Sequence, residues 1–271
     1  MASSRGGFSL ASVLLSVLMI AGGMAGAMMV FAELKIALSN EALFGAVIGG
    51  GAFVGGFFAA RASHGETIAE PATGAVLVVG GLGALMLLTP MGKMVWSFAQ
   101  DQVVRAAVVA CAAALVGSLF GAFISEKLLG AATTWSLPWI LYVALAVAGG
   151  CSLATIVVGA LHVGSFEAHS VGEELATSRE VQLTILIGIG GGCLLAGLAA
   201  GASARTRVIA AAFLGAIAGV MGFVVLAGRF SHSEMDQDAW VGAATLAIGG
   251  GVVAMIGTAL GWVAVGRRSA S

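Results

Sequence analysis

"ALFGAVIGGGAFVGGFFAA" (42–60) is an unbroken run of small and apolar residues without one charged side chain. As a helix it would be about 28 Å long, close to the roughly 30 Å thickness of the hydrocarbon core of a bilayer. Because lipid offers no hydrogen bonds, the backbone of a spanning segment must pair within itself, as a helix does. We therefore predict that this run crosses a membrane as an α-helix.

Seven further runs of the same kind follow or precede it, and none of the eight contains Asp, Glu, Lys or Arg. The chain is 59% hydrophobic and 9% charged, whereas a soluble domain is about 25% charged. The sequence predicts an all-α polytopic integral membrane protein of about eight transmembrane helices. We place the spans at 8–32, 42–60, 72–89, 106–124, 137–161, 181–202, 208–228 and 241–265.

The charged residues outside the spans indicate an orientation. With the N-terminus in the cytoplasm, seven Lys or Arg residues fall on the cytoplasmic side and five on the other. This bias follows the positive-inside rule, so both termini are expected in the cytoplasm, in a bacterial inner membrane. The mixed segment Met91–Val104 is expected to lie along the interface as a short amphipathic helix. A net charge of −1 gives no basic surface for nucleic acid.

Glycine motifs recur in the same order in the two halves of the chain. We predict a tandem duplication of a four-helix transmembrane unit, residues 1–130 and 131–271. A unit with an even number of spans repeats in the same orientation, so the copies would be related by an axis along the membrane normal. The matched motifs are Ala21-Gly-Gly23 with Ala148-Gly-Gly150, Ile48–Gly51 with Ile189–Gly192, Gly80-x-x-Gly83 with Gly219-x-x-Gly222, and Gly117-x-x-x-Gly121 with Gly257-x-x-x-Gly261.

Glycines four residues apart favour close helix packing. Helices in lipid associate through close packing, and paired glycines form a groove that admits a neighbouring backbone. A phosphate-binding loop needs a preceding strand or a Gly-Lys-Ser/Thr signature, and neither is present. We expect packing against other helices of the chain or against a partner chain at Gly45, Gly49, Gly50, Gly51, Gly55, Gly117, Gly121, Gly188, Gly191, Gly192, Gly197, Gly201, Gly215, Gly219, Gly257 and Gly261.

The spans lack the usual constellations of membrane chemistry. Without ionisable groups in the spans, a proton relay, an ion-coupled carrier or a voltage sensor is not expected. We find no catalytic arrangement and expect neither an enzyme nor a bound cofactor. The three cysteines, Cys111, Cys151 and Cys193, are interpreted as small buried residues at helix contacts. Hydroxyls inside the spans either bond within the helices or line a path for a neutral solute; they belong to Ser12, Ser16, Ser118, Ser152, Thr155, Thr184, Thr245 and Thr258.

Two acidic loops on the predicted outer side form a candidate metal site. Imidazole and carboxylate groups could together hold a divalent cation. The alternative is an acidic rim that docks a basic partner. The candidate ligands are His162, His169, Glu173, His232, Glu234 and Asp236, with Glu174 and Asp238 beside them.

Three functions remain open. The first is a non-catalytic membrane scaffold or subunit that binds partner proteins through glycine-rich helix faces and loops, or associates with itself. The second is a channel or facilitator for a small or neutral solute, which the repeat favours and the absence of charged or broken helices weakens. The third, a membrane enzyme, lacks a reactive centre.

Overall fold

The computed structural model describes residues 9–34, 40–62, 68–128, 136–162, 179–204, 208–230 and 237–268. These residues form eight α-helices and no strands. Residues Ile124–Leu128 continue the fourth helix as a short π-helical segment. The helices are α1 (Leu10–Glu33), α2 (Glu41–Ala62), α3 (Ala69–Leu88), α4 (Pro90–Phe123), α5 (Ser136–His162), α6 (Arg179–Ser203), α7 (Ile209–Phe230) and α8 (Gln237–Arg268).

The helices confirm the predicted class of protein. Seven of them are long and apolar enough to cross a membrane, and they include every helix except α7. In α7 the apolar stretch Ile209–Val225 is shorter, although the whole helix has 22 residues. The chain is thus an all-α polytopic membrane protein, because apolar helices of this number and length have lipid as their natural solvent.

The mixed segment Met91–Val104, expected as a short interfacial helix, is helical and is divided from the rest of α4 by a kink. It forms the first part of α4, and the backbone departs from helical geometry at Ala99, with φ −140° and ψ 35°. The helix continues beyond this kink into the predicted fourth span. Before Ala99 the one charged residue of α4 is Lys93, and Asp101 and Arg105 follow the kink before the apolar run begins.

Both halves of the chain use the same pairs of helices. In the first half, α1 and α4 each contact α2 and α3. In the second half, α5 and α8 each contact α6 and α7. The most extensive contacts are α2 with α4 and α6 with α8, and the halves meet mainly through α1 and α5.

Helices α1 and α5 run in the same direction. An added Cβ on Gly51 would meet Gly23 and one on Gly55 would meet Ile20, so α2 is antiparallel to α1 and its end lies beside the start of α1. The Phe58 ring, near the end of α2, lies 5.9 Å from the Tyr142 ring near the start of α5. The starts of α1 and α5 therefore lie at the same end of the bundle, which we call the N-terminal end.

Two ionisable side chains that flank the predicted spans are wholly or partly buried in the bundle. The helices α2 and α3 continue past the predicted spans and carry Arg61 and Glu70. Glu70 is 2% exposed, and the Arg61 Nη1 atom is also buried. The predicted spans 42–60 and 72–89 themselves carry no charged residue, but the turns that flank them bring two ionisable groups into the N-terminal end of the bundle. An apolar run marks where lipid is the solvent, but neighbouring helices cover the polar turns that flank it.

Candidate functional site: the glycine crossings

The contact between α1 and α5 is reciprocal. A Cβ atom added to Gly22 would overlap the Leu145 carbonyl oxygen, and one added to Gly149 would overlap the Leu18 carbonyl oxygen. Gly149 follows Gly22 at the same separation along the chain as Leu145 follows Leu18. Each half therefore contributes the same glycine and the same carbonyl, and the two backbones touch without side chains between them.

The next crossing repeats in both halves. A Cβ on Gly51 of α2 would lie 2.6 Å from the Met24 Cα atom of α1 and 2.6 Å from the Gly23 oxygen. A Cβ on Gly192 of α6 would lie 2.7 Å from the Cys151 nitrogen of α5. Met24 and Cys151 hold equivalent positions in α1 and α5, because each directly follows the Gly-Gly pair when Gly22 is aligned with Gly149. The crossing of α1 with α2 therefore matches that of α5 with α6.

The contacts of α3 and α7 follow the same scheme at a different motif from the one predicted. A Cβ on Gly74 would lie 2.9 Å from the Ser16 Cβ atom, and a Cβ on Gly215 would lie 2.8 Å from the Val143 Cβ atom. These pairs correspond, because the alignment of Gly22 with Gly149 also places Ser16 on Val143. The expected pairing of Gly80-x-x-Gly83 with Gly219-x-x-Gly222 has no matching helix contacts, since an added Cβ on Gly80 or Gly83 has no atom within 4 Å.

The α4 and α8 glycines correspond with a shift of one helical turn. Gly121 lies against the Phe53 carbonyl oxygen, and a Cβ on Gly257 would lie 2.5 Å from the Leu194 oxygen. Phe53 and Leu194 are equivalent when the Ile-Gly-Gly-Gly motifs of α2 and α6 are aligned. The contacts consequently pair Gly121, rather than Gly117, with Gly257, and the predicted match of Gly117 with Gly257 is one turn out of register.

Fourteen of the sixteen glycines expected to pack lie against another helix. For each, an added Cβ would come within 4 Å of an atom on a neighbouring helix, usually a backbone atom. Such approach brings Cα–H groups to carbonyl oxygens, contacts of about 0.5–1 kcal/mol each. They are Gly45, Gly49, Gly51, Gly55, Gly117, Gly121, Gly188, Gly192, Gly197, Gly201, Gly215, Gly219, Gly257 and Gly261.

Gly50 and Gly191 are the exceptions. An added Cβ on either residue has no atom of the described chain within 4 Å, so neither contacts a neighbouring helix there. Successive helical residues point about 100° apart, and Gly49 and Gly51 already face α4 and α1. The middle glycine of the triplet consequently points away from both neighbours.

Several packing glycines were missed because they fall outside the i, i+4 pattern. Gly22, Gly23, Gly149 and Gly150 each meet a neighbouring backbone, although they occur as adjacent pairs. Their shared Leu-x-x-Ala-Gly-Gly sequence, at 18–23 and 145–150, is the signal that could have identified them.

Two cysteines lie at the α5–α6 crossing. Cys151 and Cys193 are both 0% exposed and unoxidised, and Cys111 on α4 is partly exposed. The Cys151 sulfur lies 4.0 Å from the Ile189 carbonyl oxygen of α6. The positions of Cys151 and Cys193 agree with the interpretation as small buried residues at helix contacts, whereas Cys111 is not fully buried.

Six of the eight hydroxyls named inside the predicted spans bond to their own helices. Each donates to a carbonyl oxygen three or four residues earlier, at 2.7–3.1 Å. A hydroxyl bonded in this way has used its one donor, and only its oxygen could still accept a bond from a solute. The residues concerned are Ser16, Ser118, Ser152, Thr155, Thr245 and Thr258.

The candidate metal ligands lie outside the described residues, except that His162 ends α5 and Asp238 lies in the first turn of α8. His169, Glu173, Glu174, His232, Glu234 and Asp236 belong to the undescribed segments. Within the described part of the chain, no group of three His, Cys, Asp or Glu side chains could hold a metal ion.

Comparison with protein-family models, with curated proteins and with solved structures finds no match to this chain. The arrangement itself defines a glycine-rich multi-pass membrane protein whose helices cross backbone to backbone.

In the triplets of α2 and α6, replacing adjacent glycines by leucine should have opposite effects on folding. Gly51→Leu and Gly192→Leu should abolish monodisperse, folded protein, because the new side chain would overlap a neighbouring backbone. Gly50→Leu and Gly191→Leu should leave the chain folded, since their surroundings are open. Size-exclusion chromatography and thermal unfolding in mild detergent would measure this, and equal loss within a pair would contradict it.

Replacement by alanine should change the free energy of unfolding in opposite directions at glycines that touch another helix and at glycines that do not. Gly81→Ala should raise the free energy of unfolding by about 0.5–1 kcal/mol, because alanine favours the helix and nothing lies within 4 Å. Gly149→Ala should lower it, because the methyl group meets the Leu18 oxygen. Titration into a denaturing detergent gives both values. A Gly149→Ala variant as stable as the wild type would refute the contact.

Proposed function

We propose that the protein is a non-catalytic membrane scaffold or subunit that binds partner proteins, or a second copy of itself, through helix faces that its own fold leaves open. The observation that supports this most is the split within the Gly-Gly-Gly triplets of α2 and α6. Gly51 and Gly192 are used inside the bundle, while the adjacent Gly50 and Gly191 face no helix in the described part of the chain.

Open glycines carry a cost that a partner could offset. A glycine inside a helix is about 1 kcal/mol less favourable than alanine when nothing packs against it. Close approach of another helix would compensate, because glycine faces allow backbone contact in lipid. The described glycines without an atom within 4 Å of an added Cβ are Gly26, Gly50, Gly80, Gly81, Gly83, Gly190, Gly191, Gly222, Gly242 and Gly249.

We further propose that the chain is a tandem duplication of one four-helix unit, 1–130 and 131–271. The shared pairs of contacting helices and the reciprocal contact of Gly22 with Gly149 support it. Two equivalent units would present Gly50 and Gly191 as equivalent positions, and thus as two related docking faces. We place the protein in a bacterial inner membrane with both termini in the cytoplasm, and its acidic loops outside, available to a basic partner or a divalent cation.

A facilitator for a small neutral solute is the second candidate. The repeat favours it, since transporters often consist of two related halves around a path. Against it, six of the hydroxyls within the spans donate to their own helices, and the crossings bring backbones into contact where a path would need space.

Docking should depend on the open glycines. The double variant Gly50→Leu/Gly191→Leu should stay folded but lose stoichiometric co-purifying protein or self-association, because leucine would block close helix approach. Val108→Leu, at an exposed position of α4 away from both open glycines, is the matched control and should retain the partner. Mass spectrometry and light scattering of the detergent-purified protein would measure composition and mass. A wild-type protein that is always alone and monomeric would contradict the proposal.

Reconstitution tests the second candidate. Liposomes containing the wild-type protein should show no more glycerol or urea flux than protein-free liposomes, measured by stopped-flow light scattering. Saturable, protein-dependent flux would favour the facilitator and count against the scaffold.

A further inference from the structure

A buried carboxylate faces α1 at the N-terminal end of the bundle. Glu70, in the first turn of α3, is 2% exposed. Its Oε1 atom accepts a hydrogen bond of 3.0 Å from the Ser9 backbone N–H, the residue that begins α1. The other oxygen, Oε2, is buried and has no hydrogen-bond partner among the described residues.

No basic side chain in the described ranges pairs with this carboxylate. The ion pair found there, Arg105 with Glu41 at 4.0 Å, is exposed and lies elsewhere. The start of α1 supplies the positive end of a helix dipole, which offsets part of one negative charge. Burying an ionised carboxylate is costly unless it is paired and fully hydrogen-bonded, and here one oxygen remains unsatisfied.

Serine residues of α1 run alongside Glu70. Gly74 meets Ser16, and Glu70 meets Ser9, so α1 and α3 advance in the same direction. One turn back from Gly74 and Ser16, Glu70 is level with Ser12, which is 9% exposed. The surroundings therefore offer oxygen donors: a carboxylate and a hydroxyl.

The corresponding place in the second half is apolar. There Gly215 meets Val143 as Gly74 meets Ser16. One turn earlier, Ala211 stands where the first half has Glu70, and Trp139 stands where it has Ser12. Because the second half makes the same crossing without polar side chains, the carboxylate is not required by the packing of these helices.

We propose that Glu70 is the anchor of a binding site for a monovalent alkali cation, for which Na⁺ is the probe, with Oε2 as its principal ligand and the Ser12 hydroxyl beside it. Oxygen donors suit hard cations. A single positive charge neutralises the one carboxylate, whereas a divalent ion would leave a net charge buried in the bundle. This inference is independent of the proposed scaffold function.

Thermal unfolding of the full-length protein in detergent tests the site. With chloride held constant, replacing choline by Na⁺ should raise the Tm saturably, because a ligand that binds only the folded state stabilises it. Glu70→Gln should abolish the rise, since it removes the charge. Glu41→Gln, at a side chain that is 59% exposed, is the matched control and should keep it.

A second measurement uses the wild-type protein alone, in case Glu70→Gln does not fold. A hydrophobic carbodiimide should modify Glu70, as located by mass spectrometry, and Na⁺ but not choline should slow this reaction. A Tm rise that persists in Glu70→Gln would overturn the proposal. So would the absence of any Na⁺ effect on both the Tm and the labelling.

Discussion

Close approach of helix backbones at glycine is the interaction on which the rest of this bundle depends. Gly22 of α1 meets the Leu145 carbonyl, and Gly149 of α5 meets the Leu18 carbonyl, so each half holds the other by the same contact. Lipid tails are as apolar as leucine side chains, and burial of apolar surface therefore gives helices little reason to associate. Contact between backbones supplies dispersion and Cα–H···O interactions that lipid cannot match. It also explains why even a methyl group at these positions is expected to separate the helices.

The sequence predicts the class of fold well because the relevant signal is local. The composition and length of an uncharged run such as 42–60 are enough to indicate a helix in lipid. Seven of the eight predicted spans are found as apolar helices of spanning length. Register between helices is not local. Gly117 and Gly121 look alike in sequence, and only the contact with Phe53 identifies Gly121 as the residue that corresponds to Gly257. Helix α4 is longer before Gly121 than α8 is before Gly257, and α4 is kinked at Ala99.

Orientation within a helix is equally hard to predict. The Gly49-Gly-Gly51 triplet presents three identical residues, and the positions of α1 and α4 alone decide that Gly50 stays open. Glu70 was missed for a related reason. The apolar run of α3 begins after Pro71, and nothing in the run indicates that α1 covers the preceding turn. The two halves share their crossings but differ in the side chains beside them, as with Glu70 and Ala211. Such differences are where one half can acquire a property that the other lacks.

The distance between α1 and α5 tests this account most directly. An added Cβ on Gly149 would lie 2.5 Å from the Gly22 nitrogen, so the Gly149 Cα atom and that nitrogen are within about 4 Å. Solid-state NMR of the protein in lipid, with ¹³C at the Gly149 Cα atom and ¹⁵N at Gly22, should show a clear dipolar coupling between the two. The absence of that coupling would mean that α1 and α5 pack through side chains, at interaxial distances of about 8–10 Å. The backbone contact at the centre of the bundle would then not exist.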